Sequence, residues 1–235
     1  MTDLRYLLAI LTCGRPAYLQ RTLASYAAFL DPQPTAVYAW DDGLQTPREA
    51  FSAFHPYPHV EGEPQRIGRC AGHARLWHAT HAYPGIDWVF TVEDDIVLLR
   101  PLNLRHLAET IEAEPTLAQL ALVRCPWGAE IEHGGYIAQF PDRYDRRTTN
   151  VWAGSHGGWR EAHWIASTVD WTSSPALLPM SLPRTVAWPS ESGCELELGP
   201  RILAQRPDAV SGYFGWGEPW CAHVGMARVE GSHGY

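Results

Sequence analysis

Glu93, Asp94 and Asp95 stand side by side inside the apolar run WVFTVEDDIVLL (88–99). Three adjacent carboxylates repel one another and are costly to bury, so a cation, hydrogen-bond donors or water must compensate them. That makes the triplet a candidate binding site. Two further polar groups follow apolar runs in the same way: Gly14-Arg15 after a run at residues 5–13, and Asp41-Asp42-Gly43 after a run at residues 36–40.

The elements that position these groups follow from periodicity. Residues 5–13, 36–40 and 88–92 read as strands, rich in β-branched and aromatic side chains. Residues 17–30 read as a helix, with Leu19, Leu23, Tyr26 and Leu30 at helical spacing, and residues 72–81 as another. Strands alternating with helices imply an α/β fold with a mostly parallel sheet, whose ligands bind beyond the carboxyl ends of the strands. Arg15, Asp41, Asp42 and the acidic triplet then converge on one crevice. The second half differs. Residues 127–164 carry much Gly, His, Trp and Arg with little period, which suits loops that recognise a substrate. A strand is expected at 165–171 and a helix at 199–206.

Composition narrows the classes. The chain has 235 residues, 46% of them hydrophobic, enough for one substantial domain with a real core. Its formal net charge of -8 argues against a general nucleic-acid coat. All 18 basic residues are Arg, which excludes P-loop phosphate binding and Schiff-base chemistry, both of which need Lys. The 5 cysteines are odd in number and lack a CxxC pair, so neither a zinc cluster nor a disulfide framework is expected, and a reducing cytoplasm fits. The apolar run near the N-terminus is shorter than a membrane span, so no anchor is expected.

Together these stretches resemble a GT-A fold glycosyltransferase, and most closely the alpha-1,3-mannosyl-glycoprotein beta-1,2-N-acetylglucosaminyltransferase family. The likeness rests on TCGRPAYLQRTL (12–23), DDG (41–43), RCAGHARLW (69–77), VEDDIVLL (92–99), WP (188–189) followed by an acidic cluster, and GSHGY (231–235), in the same order along nearly the whole chain. It implies a Rossmann-like sheet flanked by helices, with a nucleotide-sugar-binding half (1–126) and an acceptor-binding half with a closing tail (127–235). By the same resemblance Arg15 contacts the donor diphosphate, Asp41 and Asp42 the base, and His73 and Arg75 the nucleotide. Glu93 and Asp94 hold the ribose or donor sugar, Asp95 and His223 a divalent metal, and Ser232 the diphosphate.

The chemistry that this implies is transfer of a sugar from a nucleotide-diphosphate sugar, a UDP-sugar by preference, to an acceptor hydroxyl. Carboxylate and phosphate oxygens suit Mn or Mg, which neutralises the departing diphosphate, and a forked Arg adds to that. An inverting reaction needs a second carboxylate as base. SESGCELELGP (190–200) offers Glu191, Glu195 and Glu197, with Glu195 preferred. The acceptor is a glycan, a protein or a hydroxymethylated base in phage DNA; Arg143, Arg146, Arg147 and Arg160 among Tyr136, Tyr144, Trp152 and Trp159 could grip such a base or a saccharide, though Asp142, Asp145 and Glu161 leave only a slight local excess of positive charge. Two other classes remain open: a sugar-nucleotide nucleotidylyltransferase, and a non-catalytic carbohydrate-binding protein.

Overall fold

The computed structural model describes residues 3–54, 58–123, 141–153, 158–168, 171–172, 175–216 and 219–226. In chain order the elements are β1 (Tyr6–Thr12), α1 (Pro16–Phe29), β2 (Leu30–Asp31), β3 (Ala36–Asp42), β4 (His59–Glu63), α2 (Arg69–Ala79), β5 (Trp88–Glu93), β6 (Ile96–Leu98), β7 (Leu102–Asn103) and α3 (Leu104–Ala113). They continue with β8 (Leu117–Leu122), β9 (Tyr144–Ala153), β10 (Gly158–Ser167), β11 (Ala176–Pro179), α4 (Ser181–Thr185), α5 (Cys194–Gln205), β12 (Val210–Phe214) and β13 (Cys221–His223).

Nine strands form one sheet in the order β4-β3-β1-β5-β11-β8-β12-β10-β9, running across both halves of the chain. Every residue of β1 is buried, as expected of a central strand covered on both faces. Strand alternation sorts its side chains. Tyr6, Leu8 and Ile10 join a core with α1 and α3, whereas Leu7, Ala9 and Leu11 join a second core with α2 and α5. Leu19, Leu23 and Tyr26 of α1 are buried at i, i+4 and i+7, which accounts for the helix and for its seat on the sheet. The Asn103 side chain caps α3 by accepting a hydrogen bond from the His106 N–H at 3.1 Å.

Four expectations from the sequence need correction. The sheet is mixed rather than mostly parallel: β11 enters antiparallel between β5 and β8, and β10 and β9 extend it antiparallel at the far edge. Residues 144–153 and 158–167 pair antiparallel as two ten-residue strands, not loops; their alternation was obscured because both faces carry Trp and Arg. The strand expected at 165–171 is the end of β10, which stops at Ser167. The helix expected at 199–206 begins at Cys194, with Pro200 inside it. Burial of Cys194, Leu198 and Ile202 at helical spacing outweighs the proline there.

The cysteines also depart from expectation. Cys70 of α2 and Cys194 of α5 form a disulfide across a separation of 124 residues, while Cys13 and Cys221 are buried. The two helices meet because both pack on the same face of the sheet, and sequence spacing carries no sign of that. No helix among the described residues is long and apolar enough to cross a membrane.

One packing contact carries a pH dependence. His106 is half-buried on α3, with its ring edge-on to Phe214 at 5.5 Å between centroids. Burial, and then the charge of Arg160, lower its pKa from 6.5 to about 4. The unfolded chain therefore binds a proton at this site more readily than the folded one between those values. The contribution is fully present above pH 6.5 and is lost as the pH falls toward 4, below which both states are protonated. Urea midpoints measured from pH 7 to pH 4 are expected to fall less steeply in His106→Phe, which keeps the ring contact without the titration. Equal slopes would exclude a role for His106.

Candidate functional site

The apolar run at 88–99 is not one strand. β5 ends at Glu93, the chain turns at Asp94 and Asp95, and β6 resumes at Ile96. The turn is held from three sides. The backbone N–H of Asp94 donates to the Leu11 carbonyl at 3.0 Å, the Asp94 carbonyl accepts from the Thr22 hydroxyl at 2.8 Å, and the Asp95 carbonyl accepts from Val224 N–H at 2.7 Å. Both aspartates are thereby buried at the carboxyl end of the sheet, beside the ends of β1 and β3.

Asp94 is met by donors from the end of β1. Its Oδ2 accepts from the Thr12 hydroxyl at 2.8 Å, from Cys13 N–H at 3.3 Å and from Arg15 Nε at 3.3 Å, and its Oδ1 pairs with Arg15 Nη2. Burial pushes its pKa up to about 6; Arg15 and Thr12 pull the other way, and Asp95 adds to the rise. Gly14, at φ +75, provides the left-handed turn that brings Arg15 back over the strand end.

Asp95 is placed differently. Arg15 Nη1 lies 2.8 Å from its Oδ2, while its Oδ1 is buried with no hydrogen-bond partner and sits 3.5 Å from His223 Nε2. The pairing of β13 with β6, which sets His223 opposite Ile96, brings that histidine in. A Cβ at Gly225 would collide with the Asp95 carboxylate, so glycine is required for the close approach of that segment. A buried carboxylate oxygen lacking a donor, next to an imidazole nitrogen, suits a hard divalent cation that takes its other ligands from phosphate. Among the described residues no group of three or more His, Cys, Asp or Glu could hold a metal by protein atoms alone.

The other expected residues divide. Asp41 is buried; its Oδ2 accepts from Thr46 N–H at 2.7 Å and its Oδ1 has no hydrogen-bond partner, leaving an acceptor for a ligand. Asp42 instead accepts from Ile67 N–H at 2.6 Å and Gly68 N–H at 3.0 Å, so its carboxylate anchors the segment leading into α2. His73 is buried with its Nε2 3.3 Å from Glu93 Oε1, and its ring lies 5.1 Å from that of Trp188. Arg75 is exposed and pairs with Glu63 at 2.8 Å, the β4 residue in register with Asp42. Ser232 lies outside the described residues, as does the segment at 124–140.

Glu195 occupies the first turn of α5, where Arg69 Nη2 reaches its Oε2 at 3.0 Å and the Thr172 hydroxyl lies 3.5 Å from its Oε1. Arg69 also lies 3.7 Å from Glu93 Oε1, so Glu93 and Glu195 flank one guanidinium at the crevice wall. Glu191 is exposed in the preceding turn. Sequence reasoning missed Arg69, and it missed Arg66, whose Nη2 donates to the Cys13 carbonyl at 2.7 Å beside the β1 end. Arg66 lies in the polar connection before α2, and Arg69 is the first residue of that helix and of the RCAGHARLW stretch.

Of the tryptophans considered as stacking surfaces, Trp164 and Trp171 are buried in the two cores, whereas Trp152 and Trp159 are exposed. The latter face each other across the β9–β10 pair, edge to face at 5.4 Å. β12 runs in the same sense as β8 and β5, and Trp164 of antiparallel β10 pairs with its last residue, Phe214. Residues 158–163 therefore project past the carboxyl edge, the edge that bears the crevice. The arginines of these two strands are split. Arg146 shares the Trp152 face by strand parity, but Arg147 and Arg160 lie on the opposite one, and Arg147 is paired with Asp145 at 3.0 Å.

No protein-family model matches the sequence, and no curated protein matches it. Solved structures of S. aureus TarS are similar in fold. TarS itself gives a TM-score of 0.60 at 12% identity, over 94% of this chain and 36% of that one. TarS 1–349 in complex with UDP-GlcNAc gives 0.54 at 13% identity, over 96% of this chain and 62% of that one. The present chain thus spans less than two thirds of the length of these TarS structures. CMP:2-keto-3-deoxy-manno-octonic acid synthetase complexed with CTP gives 0.50 at 13% identity, over 92% and 93% of the two chains. At these identities the likeness concerns the fold, and the fold is GT-A: an α/β sheet flanked by helices, as the sequence led one to expect.

Proposed function

We propose that this protein is an inverting glycosyltransferase that moves a sugar from a nucleotide-diphosphate donor, a UDP-sugar first among them, to an acceptor hydroxyl. The observation that carries the reading is Asp95: a buried carboxylate with one oxygen unsatisfied beside His223, at the point where the ends of β1, β3 and β5 meet. The complexes of TarS with UDP and UDP-GlcNAc on the same fold support the donor class.

Asp95 and His223 would hold Mn or Mg, whose chemistry is to offset the charge of the departing diphosphate. Arg15 already spans both aspartates, and its forked donors are placed to turn toward phosphate oxygens as they arrive. Asp41, through its unpartnered oxygen, accepts from the N–H of the base. Glu195 takes the proton of the acceptor hydroxyl on the face opposite the leaving group. Trp152 and Trp159 form a platform for the acceptor. With a net charge of -8 and the arginines divided between two faces, that platform suits a saccharide ring better than a nucleic-acid backbone. The motif likeness to the beta-1,2-N-acetylglucosaminyltransferase family bears on the donor side alone, and the Cys70–Cys194 disulfide removes the ground on which a reducing cytoplasm was expected.

The similarity to the CMP-sugar synthetase structure favours a second reading, nucleotidyl transfer to a sugar. The absence of any Lys and of a Gly-rich loop near the N-terminus weighs against it. The deciding experiment offers a panel of nucleotide sugars with Mn and follows nucleoside diphosphate release, with a parallel arm offering nucleoside triphosphates and sugars and following pyrophosphate. Pyrophosphate in the second arm with nothing in the first would overturn glycosyl transfer. Within the first reading, Asp41→Ala is expected to weaken the preferred nucleoside diphosphate by about 1–3 kcal/mol, the range for an unmade buried hydrogen bond. Binding of a diphosphate with another base should change less, and equal weakening of both would deny Asp41 a base-reading role.

A further inference from the structure

We infer that the Cys70–Cys194 disulfide is the positioning element for Glu195, and that reducing it lowers turnover without weakening donor binding. The inference rests on the reading of Glu195 as the base. The disulfide and the Arg69–Glu195 ion pair are neighbours: Arg69 and Cys70 open α2, and Cys194 and Glu195 open α5. The two first turns are thus joined by one covalent link and one ionic link, residue beside residue, with 5.7 Å between the cysteine Cα atoms.

Apart from these two links, that turn of α5 is met by the Thr172 hydroxyl, 3.5 Å from Glu195 Oε1, and Cys194 itself packs into the second core. Its N-terminal flank is Gly193 in the left-handed region at φ +81, with no side chain capping the helix, and Ser190, Glu191 and Ser192 before it are exposed. The Arg69–Glu195 ion pair is partly exposed, so salt screens it and it holds the turn less firmly than a covalent link. The body of the helix is secured separately by Leu198 and Ile202 in the core, so the fold survives where the first turn loosens. Donor contacts proposed for Arg15, Asp41 and Asp95 come from strand ends that the disulfide does not touch. A base displaced by about 1 Å loses up to about 10²-fold in rate, whereas a donor held elsewhere does not notice.

Cys194 is buried but Cys70 is only partly so, which leaves the bond open to a small dithiol. Dithiothreitol supplies the two electrons: it is oxidised to its cyclic disulfide, the sulfur–sulfur bond breaks, and each cysteine sulfur gains a proton to become a thiol.

The test uses the whole chain, purified without reductant and treated with diamide as oxidant. Peptide mapping should find Cys70 joined to Cys194. Reduction should lower kcat by roughly 10–10²-fold, with the donor Kd and the acceptor KM unchanged. The same loss should appear in the Cys70→Ala/Cys194→Ala double variant, which should then be indifferent to dithiothreitol. In Glu195→Gln, reduction should have no further effect, since the group it positions is gone. A failure to find the link after diamide would overturn the inference, as would an unchanged kcat on reduction of a linked protein whose Glu195→Gln variant is impaired. Full activity in oxidised Glu195→Gln would instead overturn the reading of Glu195 as base, and the two failures are told apart by that variant alone.

Discussion

Asp95→Asn is expected to abolish metal-dependent donor binding while leaving the fold intact. The substitution keeps the size and shape of the side chain but removes the charge from a carboxylate whose Oδ1 is buried without a hydrogen-bond partner. Arg15 retains its bonds to Asp94, so the end of β1 stays in place. Groups that merely support a metal ligand are worth about 10–100-fold in affinity, and loss of a ligand itself should exceed about 10²-fold. Titration calorimetry with the preferred nucleotide sugar in the presence of Mn reads the effect, and circular dichroism controls for the fold. Wild-type affinity in Asp95→Asn would remove the metal site from the proposal. The neighbour Asp94 is a poorer test. It ties together Thr12, Cys13 and Arg15, so its loss would disturb the crevice whether or not a ligand binds there.

Glu195→Gln separates chemistry from binding. If Glu195 is the base, its work is confined to the moment when the acceptor oxygen attacks, so donor and metal affinity should change little. The amide keeps the volume and one acceptor oxygen but cannot take the proton. Transfer should fall by about 10²–10⁴-fold, the usual range of general-base catalysis. The product's anomeric configuration, read by nuclear magnetic resonance, should be opposite to that of the donor; retention would sink the inverting mechanism. Full activity in the variant would shift attention to Glu93, which shares Arg69 with Glu195, or to Glu191 and Glu197, each open to the same substitution.

Much of the crevice at the ends of β1, β3 and β5 could be read along the chain. A fully buried strand such as β1 shows itself as a continuous apolar run, and the polar residues just past it must lie at the sheet edge where ligands gather. Arg15, Asp41 and the acidic triplet were legible for that reason: each sits within a few residues of a strong strand signal. Local sequence determined these positions because burial and strand alternation act over short distances.

The tertiary structure alone decided what depends on segments far apart in the chain. Asp41 and Asp42 are adjacent and chemically alike, yet one keeps an oxygen without a partner while the other spends both on the N–H groups of Ile67 and Gly68. His73 and Arg75 lie two residues apart on one helix, but one is buried against Glu93 and the other pairs outward with Glu63. Cys70 meets Cys194, and Arg69 meets Glu195, only because α2 and α5 settle on the same face of the sheet. The antiparallel entry of β11 and the long β9–β10 pair are of the same kind. Strand direction and the side of the sheet on which a helix lands are settled by how the whole set of apolar faces is buried together, and no local pattern carries that information.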